Sequence, residues 1–235
     1  VGVAVNQPSM SRAGLSPKAS LSWNIDDWTL TGSLGRALRF PTVGELYQTV
    51  QTDSTYLQAN PYLRPERVSS GELALARDTE RSHLRLSLFG EYVSDALISQ
   101  TTLVPGYATA VSSTQNIGLT RQLGVELAMR QDDVLIRGLS LSGSLTYVDA
   151  RILSDGGFAS STGSTAVGMR VPYVPAWRAT LAATYRPDDK WSYTVAGRFS
   201  SRVYSSVDNS DVNAAAYTGF QSFLVLDARI HYQMD

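Results

Sequence analysis

The 235-residue chain contains no cysteine and only two histidines, His83 and His231. The first absence removes disulfides, thiolate metal sites and thiol nucleophiles, without identifying a compartment. The histidines lie far apart in sequence, which argues against a metal cluster and leaves a Ser-His-acid hydrolase with no identifiable serine. No catalytic residue, resident metal or cofactor is expected. Charge is scarce as well: Asp, Glu, Lys and Arg make up 17% of the chain, below the roughly 25% of a soluble domain. The net charge of -1 gives no sign of nucleic-acid binding. Mean hydropathy is -0.11, and no run approaches the roughly 18 apolar residues of a spanning helix. The opening VGVAVNQPSM lacks a starting Met, a basic n-region and an apolar h-region, so any signal peptide is removed or lies upstream.

What the sequence has in quantity is alternation. Trp177, Ala179, Leu181, Ala183 and Tyr185 share one parity, and Arg178, Thr180, Ala182, Thr184 and Arg186 the other. After 187–190 the pattern resumes, with Trp191, Tyr193, Val195, Gly197 and Phe199 opposing Ser192, Thr194, Ala196, Arg198 and Ser200. A period of two is the mark of a strand with one apolar and one wet face. The same pattern runs through 18–25, 28–35, 122–130, 139–147 and 224–232, more weakly through 72–75, and through 84–88 until Phe89 breaks it. The expectation is an all-β antiparallel meander of about nine strands, eight to ten residues each, with no long helix.

The connections alternate in length. Short ones fall at 26–27, 79–82, 131–138 and 187–190, and long ones at 40–64, 100–116, 153–171 and 203–222. Short turns at one end and long loops at the other are the habit of an outer-membrane barrel, whose apolar face meets lipid and whose polar face lines a lumen. Trp23 and Trp28 flank one short turn, and Tyr185 and Trp191 another, on the apolar parity where an interfacial girdle belongs. On this reading Arg178, Arg198, Asp227 and Arg229 line the lumen. A soluble β-sandwich explains the alternation but not the loop asymmetry. Arg36 falls on the apolar parity, a position tolerable near the outer interface or at a bulge.

The first long connection is the most specific stretch. It reads Arg39-Phe40-Pro41-Thr42-Val43-Gly44-Glu45-Leu46-Tyr47, then Asn60-Pro61-Tyr62-Leu63-Arg64-Pro65-Glu66. Prolines 41, 61 and 65 cannot donate to a strand ladder and belong where strands leave or rejoin a sheet. Arg39, Glu45 and Glu66 are plausible charge partners across the loop. Loop anchoring is the reading these residues favour over ligand contact. Later come Asn116-Ile117-Gly118, leading to Gly124-Val125-Glu126, and Val171-Pro172 to Pro175-Ala176-Trp177-Arg178. Asp208-Asn209-Ser210-Asp211 offers oxygens for a hard cation but lacks the EF-hand pattern and reads as a solvated loop. Gly156, Gly157 and Gly163 sit among Ser and Thr and do not form a phosphate cradle.

Taken together, these stretches resemble the barrel of TonB-dependent outer-membrane receptors. The family's R-x-P-T-x-x-E-L-Y, N-P-x-L-x-P-E, N-x-G with G-x-E, and V-P-x-x-P-x-x-R patterns occur in order over about 15–233. The resemblance implies a Gram-negative outer membrane, lipid contact, and a small-molecule ligand, most often an iron-siderophore complex. It also implies import powered by the TonB protein through a plug domain. Neither a plug nor a TonB-contacting segment is present in residues 1–235, and nine strands are under half of the about 22 of plugged transporters. Asp235 falls at a short-turn position, where family members continue with a terminal hairpin. A partial barrel domain over 1–235, unable to transport alone, is therefore expected. A passive porin would share the strands but is not expected to carry the Arg39-to-Tyr47 and Asn60-to-Glu66 pair. Tyr47, Tyr56, Tyr107, Tyr204 and Tyr217 are candidate ligand-contacting loop aromatics.

Overall fold

A computed structural model describes residues 14–51, 55–103, 110–156, 165–210 and 221–234. Their elements, in order, are β1 (Lys18–Ile25), β2 (Trp28–Arg39), helix α1 (Val43–Tyr47), β3 (Val50–Gln51), β4 (Thr55–Gln58) and β5 (Glu66–Asp78). Then come β6 (Ser82–Leu103), β7 (Ala110–Gln131), β8 (Leu139–Ser154), β9 (Trp177–Tyr185), β10 (Trp191–Ser200) and β11 (Phe223–Tyr232). Nine strands form an antiparallel meander in the order β1-β2-β5-β6-β7-β8-β9-β10-β11. The ends, β1 and β11, do not pair, so the sheet is unclosed.

Register turns the parity of the sequence into two faces. Leu30, Leu75, Leu86, Leu127, Leu145, Ala179, Phe199 and Leu224 stand directly across from one another on successive strands. One residue along, on the opposite face, the row reads Thr31, Ala74, Ser87, Glu126, Thr146, Arg178 and Ser200. The apolar row is exposed: Leu86, Leu145 and Leu224 are 41%, 44% and 63% accessible. A two-layer sandwich would bury these side chains, so that alternative fails. Hydroxyl pairs tie the polar face together, with Ser22 to Thr31 at 3.0 Å, Ser144 to Thr180 at 2.9 Å and Thr184 to Thr194 at 3.0 Å. Among the described residues no helix is long and apolar enough to cross a membrane.

The short turns gather at one end of the meander and the long connections at the other. Asp26, at φ 48°, closes the two-residue β1–β2 turn, a conformation that Asp tolerates better than most residues. Trp191 lies 4.6 Å from Tyr232 and 5.8 Å from Tyr193, and the Arg77 guanidinium sits 5.6 Å over Trp28. These rings border the apolar face on the turn side. Arg36 lies at the opposite border, where its N–H donates to the Pro17 carbonyl at 2.9 Å. Its register with Ser69 continues unbroken, so position and not a bulge accommodates it.

Two expectations need correction. Strands β2, β5, β6, β7 and β8 have 12, 13, 22, 22 and 16 residues instead of eight to ten. The long loop expected at 100–116 is mostly ladder, with Leu103 paired to Ala110. At about 3.3 Å per residue, 22 residues extend roughly 70 Å, far beyond an apolar band about 25 Å tall. Past that length the sequence alternation stops while pairing continues. The connection at 40–64 is likewise structured, holding α1, β3 and β4. Strand β4 lies parallel to β7, from Thr55 opposite Ala110 to Gln58 opposite Ser113. Pairing of β7 with β8 reaches only Leu119, so β4 covers an edge that would otherwise be bare.

Phe89 breaks the alternation for a local reason. It faces Gly124 across the ladder. A Cβ at Gly124 would stand 2.3 Å from the Phe89 ring and 2.7 Å from the Tyr147 carbonyl oxygen. The ring occupies the space that only glycine leaves.

Candidate functional site

The loop-side rim brings the separate sequence motifs together. Thr42 caps α1: its Oγ1 accepts from the Glu45 N–H at 3.2 Å, while Glu45 Oε2 accepts from the Thr42 N–H at 2.7 Å. Arg39, at the end of β2, donates to Glu45 Oε1 at 2.9 Å. Pro41 precedes the cap, and Leu46 is buried at 2% exposure. Thus the first motif is a self-contained turn fastened to the strand before it. Tyr47, at its end, is exposed.

Burial disfavours the charged Glu45 carboxylate, but donors from Thr42 and Arg39 and the Arg39 charge outweigh it and lower its pKa. A depressed carboxylate stabilises the folded turn above its unfolded pKa, and that contribution disappears as pH falls through the folded value. Acidification into the carboxylate range should therefore loosen residues 42–48. Thr42→Ala should cost about 1 kcal/mol of local stability at neutral pH. Hydrogen exchange on the full-length protein checks both, with intrinsic rates corrected for pH. Unchanged protection under either condition contradicts this account.

The second motif returns the chain to the sheet. The Asn60 N–H donates to the Glu45 carbonyl at 2.9 Å, and Asn60 Nδ2 to the Thr114 carbonyl at 3.1 Å. Asn60 Oδ1 accepts from the Tyr62 N–H after Pro61. Leu63 is buried at 1%, and Pro65 precedes β5. Asn116 on β7 holds both backbone groups of Arg64: its Oδ1 accepts from Arg64 N–H at 2.8 Å and its Nδ2 donates to Arg64 C=O at 3.0 Å. The same Nδ2 donates to the Asp95 carbonyl at 2.7 Å.

Asp95 has positive φ, 57°, and the β6–β7 ladder skips it between Ser94 and Ala96. Side chains take over there. Glu66 Oε2 accepts from the Leu97 N–H at 2.8 Å, and the Asp95 carboxylate accepts from Arg64 and Arg67, each at 2.7 Å. Sequence reading missed Asp95. Its signal was a lone acid among Tyr92, Val93, Ala96, Leu97 and Ile98. Glycine completes the junction, since a Cβ at Gly118 would lie 2.8 Å from Ser154 Oγ and 3.0 Å from the Gly156 nitrogen. An open cleft of about 460 Å³ adjoins, lined by Gln58, Asn60, Tyr62, Ser113, Gln115 and Asn116.

The remaining positions are dispersed. Glu126 accepts from Thr146 Oγ1 at 3.2 Å on the polar face. Between Pro172 and Pro175, Tyr173 takes φ 62° and donates its N–H to the Tyr204 carbonyl. Arg178, Arg198, Asp227 and Arg229 share the polar face of β9 to β11, where Arg178 opposes Thr146 and Ser200, and Arg198 opposes Thr180. Tyr56 pairs through its backbone with Val111, and Arg202 covers the Tyr204 ring at 4.8 Å. No ring contact joins Tyr47, Tyr56 and Tyr204 among the described residues; Tyr107 and Tyr217 lie outside them. His83 contacts Asp78, whereas His231 opposes Ser192 on distant strands. Asn209 bonds to both backbone groups of Arg170, and Asp208 to Ser210, within the loop read as solvated; Asp211 is outside the described residues.

Solved structures share this architecture. The copper transporter OprC superposes with a TM-score of 0.70 at 19% identity, covering 94% of this chain and 31% of its own. The siderophore receptor PiuA from Acinetobacter baumannii gives 0.66 at 18%, covering 93% and 29%. The ferric-catecholate import receptor Fiu from E. coli gives 0.64 at 18%, covering 93% and 28%. This chain thus spans under a third of the length of each. No curated protein matches it. The family model described as TonB dependent receptor-like, beta-barrel, matches residues 1–235. With the single sheet, its two faces and the motif-built rim, that match settles the affiliation: the chain belongs to the TonB-dependent receptor β-barrel family.

Proposed function

We propose that these residues form part of the barrel wall of a Gram-negative outer-membrane receptor that imports a scarce nutrient, an iron-siderophore complex, with energy from TonB. The parent chain supplies the plug and the remaining strands. The carrying observation is the register-aligned separation of an exposed apolar face from a hydroxyl-rich polar face across a single sheet. That separation suits lipid outside and a lumen inside. On the polar face of β9 to β11, Arg178, Arg198 and Arg229 outnumber Asp227, which suits an anionic chelate better than a bare cation.

Uptake by a receptor-deficient strain tests the reading. The full-length parent should restore accumulation of a labelled ferric siderophore in a TonB-dependent manner, and residues 1–235 alone should not. Uptake of ionic copper in preference to every ferric chelate offered would replace the cargo. Import independent of TonB would restore the porin alternative.

A further inference from the structure

The register that aligns the leucines also aligns a row of arginines. Arg36, Ser69, Tyr92, Arg121, Arg151 and Arg170 stand opposite one another across β2, β5, β6, β7, β8 and the segment beside β8. They share the parity of the apolar face. Leu34 precedes Arg36 by two residues on β2, and Leu123 follows Arg121 by two on β7. The row is therefore the loop-side border of that face.

Like charges directly opposite one another destabilise a sheet, and here Arg121 faces Arg151, which in turn faces Arg170. Asp149 compensates only in part, accepting from Arg121 at 3.3 Å and from Arg151 at 2.9 Å. Among the described residues, Asp149 is the carboxylate bonded to this row, which holds four arginines. Asp95 is engaged by Arg64 and Arg67. Glu72, Glu91 and Glu126 have the opposite parity. The Arg121 and Arg151 side chains remain 31% and 37% exposed. With strands about 4.8 Å apart, Arg121, Arg151 and Arg170 span about 10 Å.

Guanidinium forks match phosphate oxygens bidentately. At the border of a lipid-facing surface, the anions at the right depth are lipid headgroups, and Tyr92, 46% exposed in the same row, has the amphipathic ring suited to that depth. We infer that Arg121, Arg151 and Arg170, flanked by Arg36, bind the phosphate groups of a lipid headgroup in the leaflet on the long-loop side. This inference rests on the membrane reading proposed above.

The test uses the full-length protein purified in neutral detergent, with bis-phosphorylated lipid A, its dephosphorylated form and inorganic phosphate as probes. Wild type should retain the bis-phosphorylated lipid, with retention falling as salt rises. Substituting the three arginines by glutamine should weaken retention about fivefold per residue, or roughly a hundredfold together. Arg137→Gln, in the turn at the other end, should have no effect. Equal retention of the dephosphorylated lipid by wild type, or of the phosphorylated lipid by the triple variant, overturns the site. Equal protection by inorganic phosphate overturns the lipid assignment. If the triple variant fails to fold, the wild-type comparison of the two lipids decides. Failure of wild type to partition into membranes would instead refute the membrane reading.

Discussion

Leu127→Arg should cost about 2–4 kcal/mol of folding stability in a bilayer and sharply reduce the amount of inserted full-length receptor. Leu127 lies within the row formed by Leu75, Leu86 and Leu145, and its side chain is exposed. In water an exposed arginine there would be nearly neutral. In lipid it must bury a charge or drag water to the midplane. The paired control is Ser144→Arg, adjacent to Ala128 on the polar face, where the guanidinium stays hydrated and the cost should be small. Denaturant titration of refolding into vesicles measures both. If the two substitutions cost the same, the two faces do not meet different solvents, and the membrane reading fails.

That asymmetry is also what made part of the fold legible. Within the apolar band one parity is apolar and the other polar, which the proposed contact with lipid on one face and water on the other would require, and the bounds expected for β1, β9 and β10 agree with those observed. Beyond it, Val93, Ala96, Ile117 and Ile152 form a small buried cluster with Ala166 and Val207 from the long loops. Apolar residues there follow loop packing instead of parity, which hid the outer halves of β6 and β7. Helix α1, with five residues, is too short to show a period. Its legible signal was the capping box formed by Thr42 and Glu45. The motifs were visible one by one, but their junction was not, because Asn60 and Asn116 meet Thr114 and Arg64 only after the chain folds back from more than 50 residues away. The arginine row was hidden similarly: each arginine is an isolated exception in its own strand, and only register makes them neighbours.

The junction carries the second large effect. Asn116→Ala should remove three side-chain hydrogen bonds at once, two to Arg64 and one to the Asp95 carbonyl. At about 1 kcal/mol each, more where the partner stays buried, the loss is roughly 3–5 kcal/mol. It should be felt locally. Asn116 pairs with Leu97 at the rim, beyond the stretch of ladder that carries the leucine row, and both the β6 irregularity at Asp95 and the return of the chain into β5 depend on it. Hydrogen exchange on the full-length receptor should therefore show faster exchange at Arg64 and Leu97 while β9 and β10 stay protected. Asn116→Asp separates the two functions of the amide. It keeps an acceptor for the Arg64 N–H but loses both donated bonds and sets a carboxylate near Asp95, so it should loosen the junction as much as alanine does. Retained protection at Arg64 in both variants would mean that Arg67, Glu66 and the buried Leu63 hold the loop without Asn116. Global unfolding in either variant would mean that the rim and the wall form one cooperative unit, not a loop fastened to a barrel that stands without it.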